Sequence, residues 1–185
     1  MKGWRNLVLG VVMVACVAAQ ADWRTWFGGR RVETLLITGN FAKSRLLAEL
    51  FQGQTQQPIL LISPESLGRD QLFFLPSGVP EAMALEPEGY ADWVDYLHPG
   101  RIIILGDATV VPHTYIDQVR GRFPTVVLNS RHWLDNAKAL GSLLKDKSLA
   151  KRYGSYFEKL DAAAIGLAAP AEPLVRPPSA PPVQP

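Results

Sequence analysis

Short apolar runs alternate with helical stretches through the middle of the chain. Val32 to Thr38 (VETLLIT), Pro58 to Ile62 (PILLI), Arg101 to Leu105 (RIIIL) and Thr125 to Leu128 (TVVL) are brief, aliphatic and bounded by Gly, Pro, Asn or Ser. Continuous apolar runs of this kind predict strands buried on both faces, the pattern of a parallel sheet. Between them, apolar positions recur three and four apart, as in Leu46, Leu47, Leu50 and Phe51, or Leu134, Ala137, Leu140 and Leu144. That spacing predicts helices over Lys43 to Phe51, Tyr90 to Leu97, Thr114 to Arg120, Trp133 to Leu144 and Leu149 to Leu160. Strands alternating with helices imply right-handed crossovers and a small three-layer α/β domain, its mainly parallel sheet flanked by helices. The stretch from Leu72 to Glu86 reads two ways: QLFFL is a fifth strand or an apolar flap, and PSGVPEAM is a loop.

The two ends of the chain fall outside this pattern. Lys2 and Arg5 precede an apolar run from Leu7 to Ala15, and Ala19-Gln20-Ala21 has the small-x-small form that a signal peptidase cleaves after. The run is too short to span a bilayer, which takes about 20 residues as a helix. Residues 1–21 are therefore expected to be an export signal, leaving no transmembrane span after cleavage. Met13-Val14-Ala15-Cys16 offers the alternative of lipidation at Cys16, and an uncleaved anchor is the third reading. At the other end, residues 161–185 turn to Ala and then to Pro, a composition that forms an extended tail rather than a core. The tail acts as a spacer or, through Pro177-Pro178 and Pro181-Pro182, as a ligand for an aromatic groove. Residues 22–31, with Trp23, Trp26 and Phe27, form an aromatic segment that docks on the domain, meets a lipid surface or contacts a partner. Folding is left to one domain at residues 32–160.

Charge and chemistry narrow the function. Removing Lys2 and Arg5 with the signal leaves basic and acidic residues in balance, so the chain lacks the electrostatic footprint of a nucleic-acid partner, and Arg30-Arg31 reads as a solvated lead into the first strand. Cys16 is the only cysteine, so the folded part has no disulfide, thiolate metal site or thiol nucleophile. No GxSxG, GxxxxGK[ST], HExxH or GxGxxG pattern occurs, and neither a catalytic residue nor a cofactor is assigned. His113 and Asp117, four apart, make at most a weak metal pair, and no metal site is assigned.

The run of segments LLITGNFAKSRLLAEL, PILLISPESL, YLHPGRIIILGDATVVP and FPTVVLNSRHWLDNAKALGSLL resembles one unit of the second type of bacterial cell-wall-binding repeat, over about Glu33 to Leu144. Asn40-Phe41 match the family's first loop, Pro58 to Ile62 its second strand and Pro99 to Gly106 its third, with Asp107 where the family usually has a second glycine. The resemblance implies a non-enzymatic, exported module, periplasmic or at the cell surface, that binds cell-wall polymer. Family members carry three units in tandem, so a lone unit would need self-association or an envelope protein as partner.

A separate argument locates the binding residues. In open parallel sheets, ligands bind beyond the carboxyl ends of the strands. The loops expected there carry Asn40, Ser63, Glu65, Asp107, Thr109, Asn129, Arg131 and His132, side chains suited to hydroxyl-rich ligands and equally suited to capping turns. The competing reading is a small periplasmic hydrolase or sugar-binding receptor using Glu65, Asp107 and His132. It requires a deep pocket with the two carboxylates about 5 to 10 Å apart. A flat, loop-filled rim counts against it.

Overall fold

The computed structural model describes residues 32–64, 68–79 and 81–168. The signal, Cys16, the aromatic segment with Trp23, Trp26 and Phe27, Arg30-Arg31, Glu65 and the proline tail lie outside the described residues.

Six strands form one mixed sheet. In chain order the elements are β1 (Thr34–Gly39), α1 (Ala42–Thr55), β2 (Ile59–Ser63), β3 (Gln71–Leu75), β4 (Met83–Leu85), α2 (Tyr90–Leu97), β5 (Arg101–Leu105), α3 (His113–Val119), β6 (Thr125–Leu128), α4 (Trp133–Leu144) and α5 (Leu149–Ala168), with a 3-10 turn at Pro87–Gly89. The strand order is β4-β3-β2-β1-β5-β6. β1 pairs in parallel with both β2 and β5, and β5 pairs in parallel with β6, as the aliphatic runs predict. QLFFL is the fifth strand: β3 runs antiparallel to β2, and β4 antiparallel to β3. Of PSGVPEAM, residues 76–79 and 81–82 lie outside any strand or helix, and Met83 opens β4, which the sequence pattern does not flag.

Alternating side chains of the strands feed two separate cores. On one face Leu35, Ile37, Leu60, Ile62, Ile102 and Ile104 pack against Tyr90, Val94, Tyr115, Ile116 and Val119 of α2 and α3. On the other, Leu36, Ile59, Leu61, Ile103 and Leu105 pack against Leu47 and Phe51 of α1, Leu140 of α4, and Leu149 and Tyr153 of α5. All the strand residues named here are essentially inaccessible, which is why β1, β2 and β5 read as unbroken apolar runs rather than alternating ones. Helices on both faces make the domain the three-layer α/β architecture expected. Among the described residues no helix is long and apolar enough to cross a membrane.

Local sequence sets the helix ends. α1 starts without a side-chain cap at Phe41. Ser44, one turn in, closes the turn by donating its hydroxyl to the Gly39 carbonyl at 2.5 Å and accepting the Phe41 N–H at 3.3 Å. α1 then runs past the predicted Phe51 and stops where Gln56 turns left-handed, two residues before Pro58. α5 likewise continues beyond Leu160. Asp161 on it pairs with Lys43 at 3.5 Å, and the same ammonium sits 4.4 Å from the Phe157 ring centre.

Candidate functional site

β1, β2, β5 and β6 all point their carboxyl ends the same way, so the loops that follow them share one rim. The order of the strands puts the topological switch between β1 and β5. α1 leaves β1 over one face of the sheet, and α3 leaves β5 over the other.

The loops close that switch point. Gly39, the last residue of β1, faces the Val110 carbonyl so closely that a Cβ there would sit 2.7 Å from the oxygen and 2.8 Å from the Phe41 ring. Gly106, at φ +109, has Val110 on its other side, where a Cβ would lie 2.6 Å from the Val110 side chain. Both positions require glycine, and Val110 lies between the diverging loops.

The predicted rim residues fall into three groups. Asn40 is a bridge: its N–H donates to the Ile62 carbonyl at 2.7 Å and its amide Nδ2 to the Ser63 hydroxyl at 2.9 Å, tying the β1 and β2 loops together. Asp107 is a loop staple. Its Oδ1 accepts the Thr109 N–H at 3.0 Å and the Thr109 hydroxyl at 2.5 Å, and its carbonyl accepts the N–H groups of Val110 and Val111. The Thr109 bonds chiefly, with the nearby positive charge of Arg131, hold the Asp107 carboxyl below the usual carboxylate range. Asn129, Arg131 and His132 are exposed on the β6–α4 loop, where the His132 N–H donates to the Ser130 hydroxyl at 3.2 Å. Glu65 lies outside the described residues.

The support for the last loop is a residue that the rim argument does not single out. Asn136, buried on α4, accepts the Ser130 N–H at 2.9 Å and donates to the Ser130 carbonyl at 2.8 Å. A polar side chain among the inward apolar positions of α4 was the available signal.

Phe41 stands out on this otherwise polar rim, 47% exposed with one face against Gly39. His113 opens α3 on the surface, and Asp117 faces Arg120 at 3.9 Å. Among the described residues no three His, Cys, Asp or Glu side chains gather as a metal cluster.

A second polar group, missed in the sequence, lies where α2 and α3 begin. The Tyr115 hydroxyl bonds to Asp70, and burial followed by that carboxylate pushes its pKa up. The Tyr90 ring meets Tyr115 edge-on at 5.1 Å, with its own hydroxyl buried and unpartnered. Arg69 spans Glu86 and Glu88 nearby at 3.1 and 3.0 Å. None of these residues forms a sequence motif. The fold alone brings them together.

Among the described residues, grooves lie elsewhere, of 490 Å³ between α4 and α5, lined by Ala137, Gly141 and Ala150, of 410 Å³ beside β3 and β4, and of 370 Å³ between α1 and α5, lined by Leu46, Tyr156 and Leu160. None of the three is lined by Asn40, Asp107, Asn129, Arg131 or His132. The fold is a doubly wound α/β domain in which Val110 meets Gly39 and Gly106 at the switch point. Compared with protein-family models, curated protein sequences and solved structures, the chain matches none.

Proposed function

We propose that this chain is an exported, non-enzymatic binding module of the cell envelope, with the strand-end rim as its contact surface and cell-wall polymer as its ligand. The observation that carries the reading is the closure of the switch point by Val110. In this fold class a reactive centre sits in that crevice, out of bulk water. Here the Val110 carbonyl stands against Gly39 and its side chain against Gly106, so the protein's own loop lies between the ends of the two strands.

The surface suits a hydroxyl-rich polymer. Phe41 offers an exposed ring face on which the C–H side of a sugar ring stacks. Asn129 and Arg131, exposed on the β6–α4 loop two strands away, offer donors and an acceptor on the same rim. Because Asn40 and Asp107 are already held by Ser63 and Thr109, the rim needs little ordering on binding, which favours affinity from a small contact. Export rests on the amino-terminal sequence, and polymer as ligand rests also on the resemblance to a cell-wall-binding repeat.

A hydrolase would need, beside an ionised carboxylate such as Asp107, a second carboxyl kept protonated by its surroundings, and Glu65, the candidate for it, lies outside the described residues.

The test is retention of the purified chain on envelope polymers and on an envelope protein extract, compared with a Phe41→Ala, Asn129→Ala, Arg131→Ala variant. These three side chains are exposed, so the variant keeps its fold by circular dichroism. Polymer retention falling at least tenfold in the variant supports the rim. Retention on protein alone, indifferent to the three changes, would replace it with a scaffold role, and turnover of a polymer would overturn the non-enzymatic reading.

A further inference from the structure

The sheet ends in two unlike edges. β4 is three residues long and flanked by Glu81, Glu86 and Pro87, the charges and proline that discourage strand addition. β6 itself carries no charge and no proline, the Pro124 that precedes it faces β5 rather than outward, and all four of its residues are partly exposed, with Arg122 and Arg131 beyond its ends.

The inner side of β6 is fully used and its outer side is open. The Ile102 N–H donates to the Pro124 carbonyl and the Gly106 N–H to the Leu128 carbonyl, both at 2.8 Å. With Ile102 opposite Thr125 and Ile104 opposite Val127, this parallel ladder turns the N–H and C=O of Val126 toward β5 and those of Thr125 and Val127 outward. Among the described residues no backbone group pairs with these outward positions. The Val126 side chain belongs to neither core, whereas Val127 packs against one and Leu128 against the other.

We propose that β6 is the seam of a two-fold homodimer, in which the β6 strands of two copies pair antiparallel about Val126. The outward groups are two residues apart. A two-fold axis at Val126 therefore makes Thr125 of each copy the hydrogen-bonded partner of Val127 in the other, and every outward N–H and C=O of the pair is satisfied. Val126 then faces its counterpart in a non-hydrogen-bonded position, about 4.5 Å apart at Cα, which gives its partly exposed side chain a contact.

Three observations select a second copy as the occupant. The strand is self-complementary in register, as an isologous seam requires. The cations around it are matched within each copy, Arg122 with Asp95, Arg120 with Asp117 and Arg131 beside Asp107, so two copies meet without unbalanced like charge. The guarded β4 edge stops the sheet from propagating, so assembly closes at two. A four-residue seam buries less than the roughly 800 Å² per partner of a stable interface, and the dimer is correspondingly concentration-dependent. None of this depends on what the rim binds.

Sedimentation velocity of the purified chain over a wide concentration range tests the seam. Thr125→Pro removes an outward donor in each copy and leaves every bond to β5, because the Thr125 N–H faces away from it. Val126→Lys keeps the backbone and places two like charges on the axis. The expected result is a monomer–dimer transition in the parent chain, moved to at least tenfold higher concentration in both variants, with circular dichroism unchanged. Hydrogen exchange at the Thr125 and Val127 amides should slow as dimer forms. A chain monomeric up to millimolar concentration, or a dimer indifferent to both substitutions, overturns the proposal. So does protection of those amides that is independent of concentration, which would mean that another part of the same chain covers the edge.

Discussion

Tyr90, at the start of α2, buries a hydroxyl that no group among the described residues satisfies. Leaving a buried hydroxyl without a partner costs about 1–3 kcal/mol, and removing both the group and the debt is neutral or favourable. Tyr90→Phe is therefore expected to raise the urea midpoint, by about 1 kcal/mol of stability. Burial also pushes the Tyr90 pKa up from 10.0. A raised folded-state pKa gives stability that is present below the unfolded value and lost as pH climbs beyond it, so the parent chain should weaken above pH 10 and the phenylalanine variant less so. Asp107 has the opposite sign. Its folded pKa is lowered from 3.8, so its contribution is present above that value and fades as pH falls below it. Asp107→Asn should lower the urea midpoint at pH 7 and converge with the parent at about pH 2. Parallel curves would show that Thr109 does not favour the charged form.

At this scale the sequence was legible in kind and ambiguous in role. Asn40, Ser63 and Asp107 were identifiable as polar residues following apolar strands, which is equally the description of a ligand site and of a turn. In the structure Asn40 bonds Ser63 and Asp107 bonds Thr109, while Asn129, Arg131 and His132 are exposed. Tyr90, Tyr115 and Asp70 were illegible, because three elements far apart in the chain bring them together and none carries a signal alone.

Among the elements, the ones with enough buried residues to impose a period were readable. β1, β2 and β5 sit between two cores and declare themselves by unbroken aliphatic runs. β4 does not: its three residues, Met83 to Leu85, pair only with β3 and are short of both length and branching. Helix ends were misjudged where the apolar period stopped before the hydrogen bonds did. The polar turn from Gln52 to Thr55 stays helical, and the Gln52 side chain donates to the Leu75 carbonyl at 3.0 Å. α1 and α4 both finish on a left-handed residue that is not glycine, Gln56 at φ 54 and Lys145 at φ 58. A side chain in that region is strained by about 1–2 kcal/mol, partly recovered by glycine and partly offset by glycine's greater freedom when unfolded. Gln56→Gly and Lys145→Gly should each raise the thermal midpoint, with a gain of a few tenths to about 1 kcal/mol in denaturant titrations.

For the molecule as a whole, the strand-end rule predicted loops converging at one end of the sheet and gave no warning of how they meet there. The loops do converge at one end of the sheet, yet whether they leave a crevice depends on Val110 meeting Gly39, a contact between segments far apart in sequence. An aliphatic residue in a loop carries no mark of that duty. The sheet's polarity has its own consequence. Every strand of the parallel set ends at the same pole, and the seam at β6 would place two copies head against foot. The two rims would then look away from each other, out of reach of any single flat layer. Such a pair could not grip one surface twice for added hold. It would work as a rivet, fastening two facing layers at a spacing set by the length of the domain.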